Sequence, residues 1–245
     1  MNISVLYEDC DVLAINKPPG MVVNRATTVK GETVQDWAEE KVHSSQFIVH
    51  SEQEQEFVNR AGIVHRIDKE TSGTLLIAKT PDVFVELQRQ FKERVIRKTY
   101  LAIVHGTVAP EEGEIRAPVG RLPWNRERFG VVPGGKEAVT KYKCVNASMR
   151  QCVKGEKEEI SLVELYPETG RTHQIRVHMK YINHPIVGDY LYAGRKTARN
   201  DRVWAPRVML HAWKVSFQHP TTKKDLAIEA PIPDDMNAII QPHGK

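Results

Sequence analysis

The stretch GIVHRIDKETSGTLLIAK, residues 62–79, carries the strongest pattern in this chain of 245 residues. Within it, the basic residues His65, Arg66 and Lys69 surround the carboxylate of Asp68. A Thr-Ser-Gly sequence then favours a turn, and the apolar run that follows predicts a buried strand. The residue types leave two interpretations open. Asp68 forms a structural ion pair with its basic neighbours, or it is a reactive carboxylate.

The composition is typical of a globular protein rather than a membrane protein or a disordered chain. Hydrophobic residues make up 40% of the chain and charged residues 27%, and no apolar run approaches the length of a membrane span. The formal net charge of +4 permits a polyanionic partner without requiring one. Three cysteines without metal-ligand spacing favour a reducing compartment, and the first residues lack the pattern of a signal peptide. A cytoplasmic protein is therefore expected.

Hydrophobic patterning predicts a strand hairpin, a helix and a loop before the central stretch. Residues 3–7 and 12–16 are short apolar runs separated by acidic residues, which is typical of two paired strands. Residues 33–42 repeat apolar side chains on one helical face, behind a threonine that can cap the helix. Residues 44–59 are polar and lack a period, so a surface loop is expected there.

The rest of the chain predicts further strands and one clear helix. The predicted strands are residues 73–79, 98–105, 113–119, 139–147, 160–165, 209–218 and 226–229. A helix is predicted over residues 81–95, with proline in its first turn. Residues 172–182 fit a helix through the spacing of Ile175, Met179 and Ile182, and they fit a strand by alternation equally well.

Two basic segments are expected to be loops. The first is RLPWNRERFGVVPGGK, residues 121–136, which places Arg126 and Arg128 beside aromatic residues in a stretch rich in proline and glycine. The second, residues 191–205, holds four further basic side chains. Such segments suit contacts with RNA phosphates and unstacked bases, although a solvated hairpin loop explains the first of them equally well.

The order of these elements indicates the fold class. Strands punctuated by three helices, with several hairpins, predict an α+β fold with a largely antiparallel mixed sheet and flanking helices. The strands before the loop at residues 44–59 are too few to fold alone, so a single domain over residues 1–245 is expected. The sequence contains no glycine-rich dinucleotide motif, P-loop or nucleophile elbow, so no cofactor is implied.

The histidines of the later stretch PETGRTHQIRVHMKYINHPIVGDY, residues 167–190, raise the alternative of a metal site. The spacings between His173, His178 and His184 are five and six residues, which does not place them on one helical face. No H-E-x-x-H pattern or cysteine pair accompanies them. No metal site is expected, and His173 and His178 are predicted to pack or hydrogen-bond near the site.

Several motifs together resemble those of one family. HRIDKETSG, residues 65–73, is similar to the HRLDxxTSG signature of the RluA-type pseudouridine synthases, with Ile67 in place of the usual leucine. GRTHQIRVHM, residues 170–179, matches a further motif of that family residue for residue. RKTYLAIVHG, NKPPG and LHA resemble other motifs in the family's order. By these motifs the chain is identified as a member of the family over about residues 3–231.

The resemblance implies an enzyme that converts uridine in ribosomal or transfer RNA to pseudouridine without a cofactor or a metal. Asp68 matches the catalytic aspartate, which attacks the flipped-out nucleotide or abstracts its C2′ proton. Tyr100 matches the tyrosine that stacks on the target base, and Arg176 matches the arginine that pairs with the catalytic aspartate. Arg66 matches an arginine that enters the space left by the flipped base. The implied fold has two sub-halves around a central RNA-binding cleft.

We expect the RNA-binding residues in the two main motifs and in the first basic segment. They are His65, Arg66, Lys69, Thr71, Arg171, His173, Gln174, Arg126 and Arg128. The target atom is inaccessible inside a stacked helix, so the base has to be extruded at a cost of about a few kcal/mol. An aromatic face and an inserted cation offset that cost.

Two expectations concern the organisation of the molecule. Many relatives carry an RNA-binding domain of the S4 type before the catalytic domain, whereas here the catalytic pattern begins at once, so no S4 domain is expected. The chain then resembles family members that act with the catalytic domain alone. We also expect a monomer whose partner is RNA and which does not associate with a membrane.

Two other functions compete with the enzymatic one. A non-catalytic RNA-binding module on the same fold would not need the set of Asp68, Tyr100 and Arg176. A hydrolase that used Asp68 would need a paired carboxylate or a cluster of metal ligands, and the sequence offers neither.

Overall fold

A computed structural model describes residues 3–27, 29–42, 50–151 and 157–240. Its strands are β1 (Ser4–Glu8), β2 (Val12–Lys17), β3 (Ser72–Ala78), β4 (Arg97–His105), β5 (Glu112–Arg116), β6 (Val119–Leu122), β7 (Asn125–Val131), β8 (Val139–Gln151), β9 (Lys157–Pro167), β10 (Leu210–Gln218) and β11 (Asp225–Glu229). Its helices are α1 (Val34–Val42), α2 (Glu52–Asn59), α3 (Pro81–Lys92), α4 (Gln174–Tyr181), α5 (Arg195–Asp201) and α6 (Asp234–Ile240).

The chain divides into two compact units. The first comprises residues 1–97 and 212–231, and the second comprises residues 98–211 and 232–245. The two sub-halves expected from the sequence correspond to these units. The single catalytic domain over residues 1–245, without an S4 domain, stays a prediction.

The first unit is a set of antiparallel strands with helices packed on it. Strands β1, β2 and β3 pair in that order, β10 lies next to β3, and β11 pairs with β10. Every residue of β3 is buried, which explains why its sequence reads as an apolar run. Helix α3 begins after Thr80, whose side chain accepts a hydrogen bond from the Val83 amide, and it buries Phe84 against Phe57 of α2.

Helix α2 corrects the loop that was expected over residues 44–59. Ser51 accepts a hydrogen bond from the Glu54 amide, and the Glu54 side chain accepts one from the Ser51 amide. This reciprocal capping box, together with the buried side chain of Phe57, stabilises a helix in a polar sequence. The Ser-x-x-Glu spacing was a readable signal for it. Residues 44–49 of the expected loop lie outside the described residues.

The second unit contains the longest strand pairing of the described chain. Its strands follow the order β4, β9, β8, β5, and every pair among them is antiparallel. Strands β6 and β7 form a separate two-stranded hairpin. Helix α4 packs Val177 against this hairpin in a cluster with Val119 and Tyr192.

Both basic segments that were expected to be loops contain regular structure, so those predictions were wrong. Most of residues 121–136 belong to the β6–β7 hairpin, which turns at Pro123 and Trp124. The RNA contacts expected of this segment stay a prediction. Part of residues 191–205 forms α5, which ends at Asp201. The Asp201 carboxylate accepts a hydrogen bond from the Gly188 amide and pairs with His105.

The α+β class with a largely antiparallel sheet is confirmed. The described residues form more helices than the three expected, because α2, α5 and α6 have few apolar residues in period. The predicted helix over residues 81–95 ends earlier, at Lys92, and Arg94 has a positive φ of 61°. None of the helices in the described part of the chain is both long enough and apolar enough to cross a membrane.

Candidate active site

In the first unit, Asp68 lies in a short loop that leads into β3. The loop begins where Ile63 bridges to Ile77 of β3, and the Ala78 amide donates to the Gly62 carbonyl at 2.8 Å. The Asp68 carbonyl accepts a hydrogen bond of 3.1 Å from the Thr71 amide, which closes a turn around the aspartate. The Asp68 side chain is half-buried. The backbone on either side of the carboxylate is therefore fixed by hydrogen bonds.

The fully buried side chain of Lys17 ties this loop to the NKPPG turn. Its Nζ donates to the carbonyls of Pro18 at 2.8 Å, Met21 at 2.9 Å and Lys69 at 3.1 Å. The Gly20 amide donates to the same Lys69 carbonyl at 2.8 Å. A buried ammonium needs such partners, because an isolated buried charge is strongly unfavourable. The lysine adjoining the Pro-Pro-Gly turn thus fixes the residue next to Asp68, a role that sequence reasoning missed.

Gly73, at the end of the Thr-Ser-Gly part of the motif, is required by close packing. Gly73 has a φ of 112°, and a Cβ placed on it would come within 2.2 Å of the Ala212 carbonyl oxygen. Any larger residue would push β10 away from the start of β3. Thr71, which was expected to bind RNA, is buried with 2% exposure in the same tight region.

The three basic neighbours of Asp68 have different environments. The Nε2 atom of His65 accepts a hydrogen bond of 2.9 Å from the Leu76 amide, and its ring lies 4.8 Å from that of Phe91. His65 therefore has a structural contact in addition to the RNA contact predicted for it. The side chains of Arg66 and Lys69 are exposed, as a residue that reaches RNA must be.

In the second unit, Tyr100 lies in β4 opposite Leu165 of β9, and 9% of it is exposed. Lys98 is two residues earlier in the same strand, so both side chains leave β4 on the same face. Burial lowers the pKa of the Lys98 ammonium from 10.5 to about 8. A Cβ built on Gly170, in the later motif, would lie 3.9 Å from Lys98 Nζ.

Arg176 of α4 forms a buried bidentate ion pair with Asp189. Its Nε donates to Asp189 Oδ2 at 2.7 Å and its Nη2 donates to Oδ1 at 2.9 Å. The side chains are 8% and 0% exposed. Asp189 Oδ1 also accepts from the amides of Leu191 at 3.1 Å and Tyr192 at 3.2 Å. Sequence reasoning missed Asp189, although a carboxylate directly after the apolar pair Ile-Val and a glycine was a usable signal.

The predicted partner of Arg176 was Asp68. These two residues belong to different units, and the pair between them stays a prediction. Asp189 uses the edge of the guanidinium formed by Nε and Nη2. The ion pair therefore engages both Nε and Nη2 of the guanidinium.

The other polar residues of the later motif mainly hold the motif together. The Gln174 amide group donates to the Val139 carbonyl and to Thr140 Oγ1, both at 3.0 Å, and its oxygen accepts from Thr169 at 2.7 Å. Gln174 is 3% exposed. Its predicted RNA contact stays a prediction and would compete with these bonds. Arg171 is exposed, and its Nε donates to the Glu137 carbonyl at 3.0 Å.

His178 uses both ring nitrogens within the protein. Nδ1 is 2.9 Å from Thr140 Oγ1 and Nε2 is 3.0 Å from the Ala117 carbonyl oxygen, so Nε2 carries the proton that it donates. Burial lowers the pKa of His178 below the ordinary value, which favours the neutral ring. The described residues contain no group of three or more His, Cys, Asp or Glu side chains that could hold a metal ion.

The β6–β7 hairpin carries the remaining predicted RNA-binding residues. Arg128 is half-buried, whereas the side chain of Arg126 lies outside the described side chains. At the tip of the hairpin, 79% of Trp124 is exposed, and the guanidinium carbon of Arg121 lies 5.2 Å from the centre of the Phe129 ring. An exposed tryptophan beside arginines is suited to stacking on an unpaired base.

A family model described as RNA pseudouridylate synthase matches residues 11–181, which include the motifs around Asp68, Tyr100 and Arg176. The chain belongs to this family. The resemblance to RluA-type pseudouridine synthases is thereby confirmed. Membership of this family identifies the chain as an RNA-modifying enzyme, an isomerase that acts on uridine.

Curated relatives agree with this assignment. A protein of Bacillus subtilis described as an uncharacterized RNA pseudouridine synthase, YlyB, is 39% identical over 98% of this chain and 73% of its own length. The ribosomal large subunit pseudouridine synthase D of Neisseria meningitidis serogroup A is 38% identical over 96% of this chain. The chain spans only 60% of the Neisseria protein.

Solved structures of family members confirm the fold. The human RNA pseudouridylate synthase domain containing 1 superposes with a TM-score of 0.71 at 26% identity, with 94% of this chain and 83% of that chain covered. The human RNA pseudouridylate synthase domain containing 4 has a TM-score of 0.66 at 22% identity, covering 95% and 90% of the two chains, and supports the fold alone.

Proposed function

We propose that this chain converts specific uridines of ribosomal RNA to pseudouridine and that Asp68 is its catalytic group. The observation that carries the proposal is the fixed loop around Asp68. Lys17, Gly20 and Thr71 hold its backbone by hydrogen bonds, while the carboxylate itself remains half-buried rather than enclosed. A rigid backbone positions a reactive group at little entropic cost when the substrate binds.

The isomerisation proposed for Asp68 needs no cofactor. Asp68 attacks the flipped-out nucleotide, or it abstracts the C2′ proton, and the bond between N1 and C1′ of the uridine breaks. The uracil turns and C5 bonds to C1′, while the bond to Asp68 breaks or the proton that Asp68 took returns to C2′, so the carboxylate is regenerated. The hydrogen of C5 leaves to water and N1 gains a proton. Tyr100 is proposed to stack on the extruded base, and Arg176 is proposed to pair with the Asp68 carboxylate.

The basic side chains are proposed to bind the RNA around the target base. Arg66 and Lys69 are exposed next to Asp68, and Arg171 is exposed at the start of the later motif. Arg66 is proposed to enter the space that the flipped base leaves. His65, Thr71, His173, Gln174, Arg126 and Arg128 are proposed to make further contacts with the RNA.

The choice of ribosomal RNA rests on relatives. The Neisseria protein is named a pseudouridine synthase of the large ribosomal subunit. Transfer RNA is the alternative substrate. We propose a cytoplasmic enzyme that acts as a monomer, and size-exclusion chromatography with light scattering tests its oligomeric state.

Tritium release from RNA labelled with [5-³H]uridine tests the proposed role of Asp68. We expect the purified protein to release tritium from large-subunit ribosomal RNA, and we expect Asp68→Asn to abolish release while the protein remains folded. Asp82→Asn, which changes an exposed aspartate of α3, is the matched control. Release that survives Asp68→Asn would contradict the catalytic role.

The same assay with three separate substrates tests the target. Large-subunit ribosomal RNA, small-subunit ribosomal RNA and total transfer RNA are labelled and compared at equal uridine concentration. Release from transfer RNA alone would overturn the choice of substrate and leave the role of Asp68 intact. Pseudouridine mapping in cells with and without the gene then locates the modified position.

A further inference from the structure

Tyr192 lies against the arginine that is expected to hold the catalytic carboxylate. The centre of its ring is 5.0 Å from the guanidinium carbon of Arg176, and only 7% of Tyr192 is exposed. A guanidinium over an aromatic face is attracted by the ring quadrupole, and this attraction strengthens away from water. The ring therefore restrains Arg176 from a direction that the ion pair with Asp189 does not cover.

The turn that carries Tyr192 also supplies the carboxylate of Asp189. The amides of Leu191 and Tyr192 donate to Asp189 Oδ1, and the Tyr192 amide also donates to the Asp189 carbonyl at 3.2 Å. Gly188 precedes this turn with a φ of 75°, and a Cβ on it would come within 2.0 Å of the Arg207 carbonyl oxygen. The turn is thus held in place, and it sets the ring and the carboxylate together.

The hydroxyl of Tyr192 reaches in the other direction, to the basic hairpin. It accepts a hydrogen bond of 3.2 Å from the Phe129 amide of β7. It also shares a hydrogen bond of 2.8 Å with Nδ1 of His173, the residue before α4. The His173 ring meets the rings of Phe129 and Tyr192 edge to face, with centroids 5.6 and 5.7 Å apart.

These contacts place the Tyr192 side chain between Arg176 and the β6–β7 hairpin. We infer that Tyr192 is a positioning residue, whose ring fixes the guanidinium of Arg176 and whose hydroxyl ties that guanidinium to β7. The inference rests on the proposed function, because it assumes that Arg176 holds Asp68 during the reaction. A misplaced arginine would misplace the carboxylate, and a misplacement of about 1 Å can cost about 100-fold in rate.

Substitution of Tyr192 is expected to affect the rate of the reaction and not the binding of RNA. Neither the ring nor the hydroxyl of Tyr192 needs to touch RNA for this role, because the side chain is buried among Arg176, His173 and Phe129. Substitution of Tyr192 should therefore lower the rate of the bound complex and leave RNA affinity almost unchanged. If Tyr192 only stabilised the fold, its substitution would change neither the reaction rate nor the RNA affinity of the molecules that remain folded.

The test measures single-turnover tritium release at saturating RNA and, separately, the Kd for the same RNA. Tyr192→Phe keeps the ring and removes the hydroxyl with its two hydrogen bonds. Because the ring still contacts Arg176, we expect a rate loss of only about two- to tenfold, the scale of a net hydrogen-bond contribution. Tyr192→Leu removes the aromatic face as well, and we expect a loss of about 100-fold. For both variants the Kd should stay within about twofold of the wild-type value.

Tyr190→Phe is the matched control, because Tyr190 is two residues away and 53% exposed. It should retain the wild-type rate. Thermal unfolding of each variant gives the folded fraction, and rates are normalised to it.

Three outcomes overturn the inference. They are a normal rate in Tyr192→Leu, a loss that appears only in Kd, and equal losses in Tyr190→Phe and Tyr192→Phe. None of them affects the proposed function, whose failure is recognised separately by activity in Asp68→Asn. A graded rate loss from Tyr192→Phe to Tyr192→Leu at constant Kd supports the positioning role.

Discussion

Arg176 donates to Asp189 through two parallel hydrogen bonds of 2.7 and 2.9 Å, in a pair that is almost completely buried. The sequence motif suggested a different partner, Asp68, and the ion pair with Asp189 changes what that arginine can do. A bidentate pair fixes both the position and the plane of the guanidinium. The arginine is therefore oriented within its own unit before any substrate is bound.

The first prediction distinguishes the contribution of the Arg176–Asp189 pair to stability from its contribution to catalysis. Asp189→Asn keeps an oxygen for the amides of Leu191 and Tyr192 but leaves Arg176 buried without its counter-charge. We expect unfolding in urea to require about 3–5 kcal/mol less free energy than for wild type.

The double variant Arg176→Met/Asp189→Leu provides the comparison. It replaces the pair by apolar side chains, and such replacements are often neutral or stabilising. We expect it to recover most of the lost stability and to show no tritium release. If it released tritium at the wild-type rate, Arg176 would have no part in the reaction.

The second prediction concerns Lys17. Lys17→Met keeps the apolar stem and removes three hydrogen bonds to carbonyls, one of them on Lys69 beside Asp68. We expect a loss of about 2–4 kcal/mol in unfolding free energy, because buried carbonyls lose a charged donor. Lys30→Met, at an exposed position, should change stability by no more than about 0.5 kcal/mol. Equal stabilities for the two variants would contradict the role assigned to Lys17.

The third prediction concerns the backbone of His173, which has a φ of 56°. This left-handed conformation costs histidine or alanine about 1–2 kcal/mol relative to glycine. His173→Gly and His173→Ala both lose the ring contacts, but only the glycine variant relieves the backbone. We expect the glycine variant to be more stable than the alanine variant by about 1 kcal/mol in urea denaturation. The reverse order would mean that the left-handed conformation does not persist in solution.

The fourth prediction is a pH dependence from His178. Burial lowers its pKa below the ordinary value of 6.5, so the folded protein keeps the ring neutral where the unfolded chain binds a proton. Stability should therefore be constant above pH 6.5 and should fall as the pH decreases below that value, until the folded form also protonates.

His178→Gln serves as the comparison, because glutamine can donate to the Ala117 carbonyl and accept from Thr140 but does not titrate. Unfolding free energy measured from pH 5 to pH 8 should fall less steeply at low pH in this variant. Parallel curves for the two proteins would show that His178 is not the group responsible.

The fifth prediction concerns Lys98, whose pKa of about 8 lies below the ordinary 10.5. Between those values the unfolded chain binds the proton more tightly, so stability should rise as the pH increases from 8 to 10.5. At pH 7 the desolvated charge of Lys98 lowers the free energy of unfolding. Lys98→Met removes this charge and should raise the Tm by about 2–4 °C for each kcal/mol of unfolding free energy gained. Lys224→Met, at an exposed position, should leave the Tm unchanged. A Tm that falls in Lys98→Met would mean that the ammonium has a favourable partner.

Local signals in the sequence were sufficient for much of the fold. The paired strands at the start of the chain, the helix after Thr80 and the strand of Tyr100 all follow from apolar period and capping residues. These signals depend on neighbours within a few positions, which the sequence displays directly. Helix α5 carries no such signal, because most of its residues are polar and it is anchored at Asp201 by contacts with the distant His105 and with Gly188.

The same distinction applies to the site. The sequence by itself determined the family, from several motifs read together. It also showed that one contiguous motif carries Asp68 with the basic residues Arg66 and Lys69 beside it. Only the tertiary structure decided that Arg176 pairs with Asp189, that Lys17 holds the loop of Asp68 and that Gln174 bonds inward. In each case the partners are carbonyls, carboxylates or hydroxyls of other residues, and only the folded backbone determines which of them a buried polar group can reach.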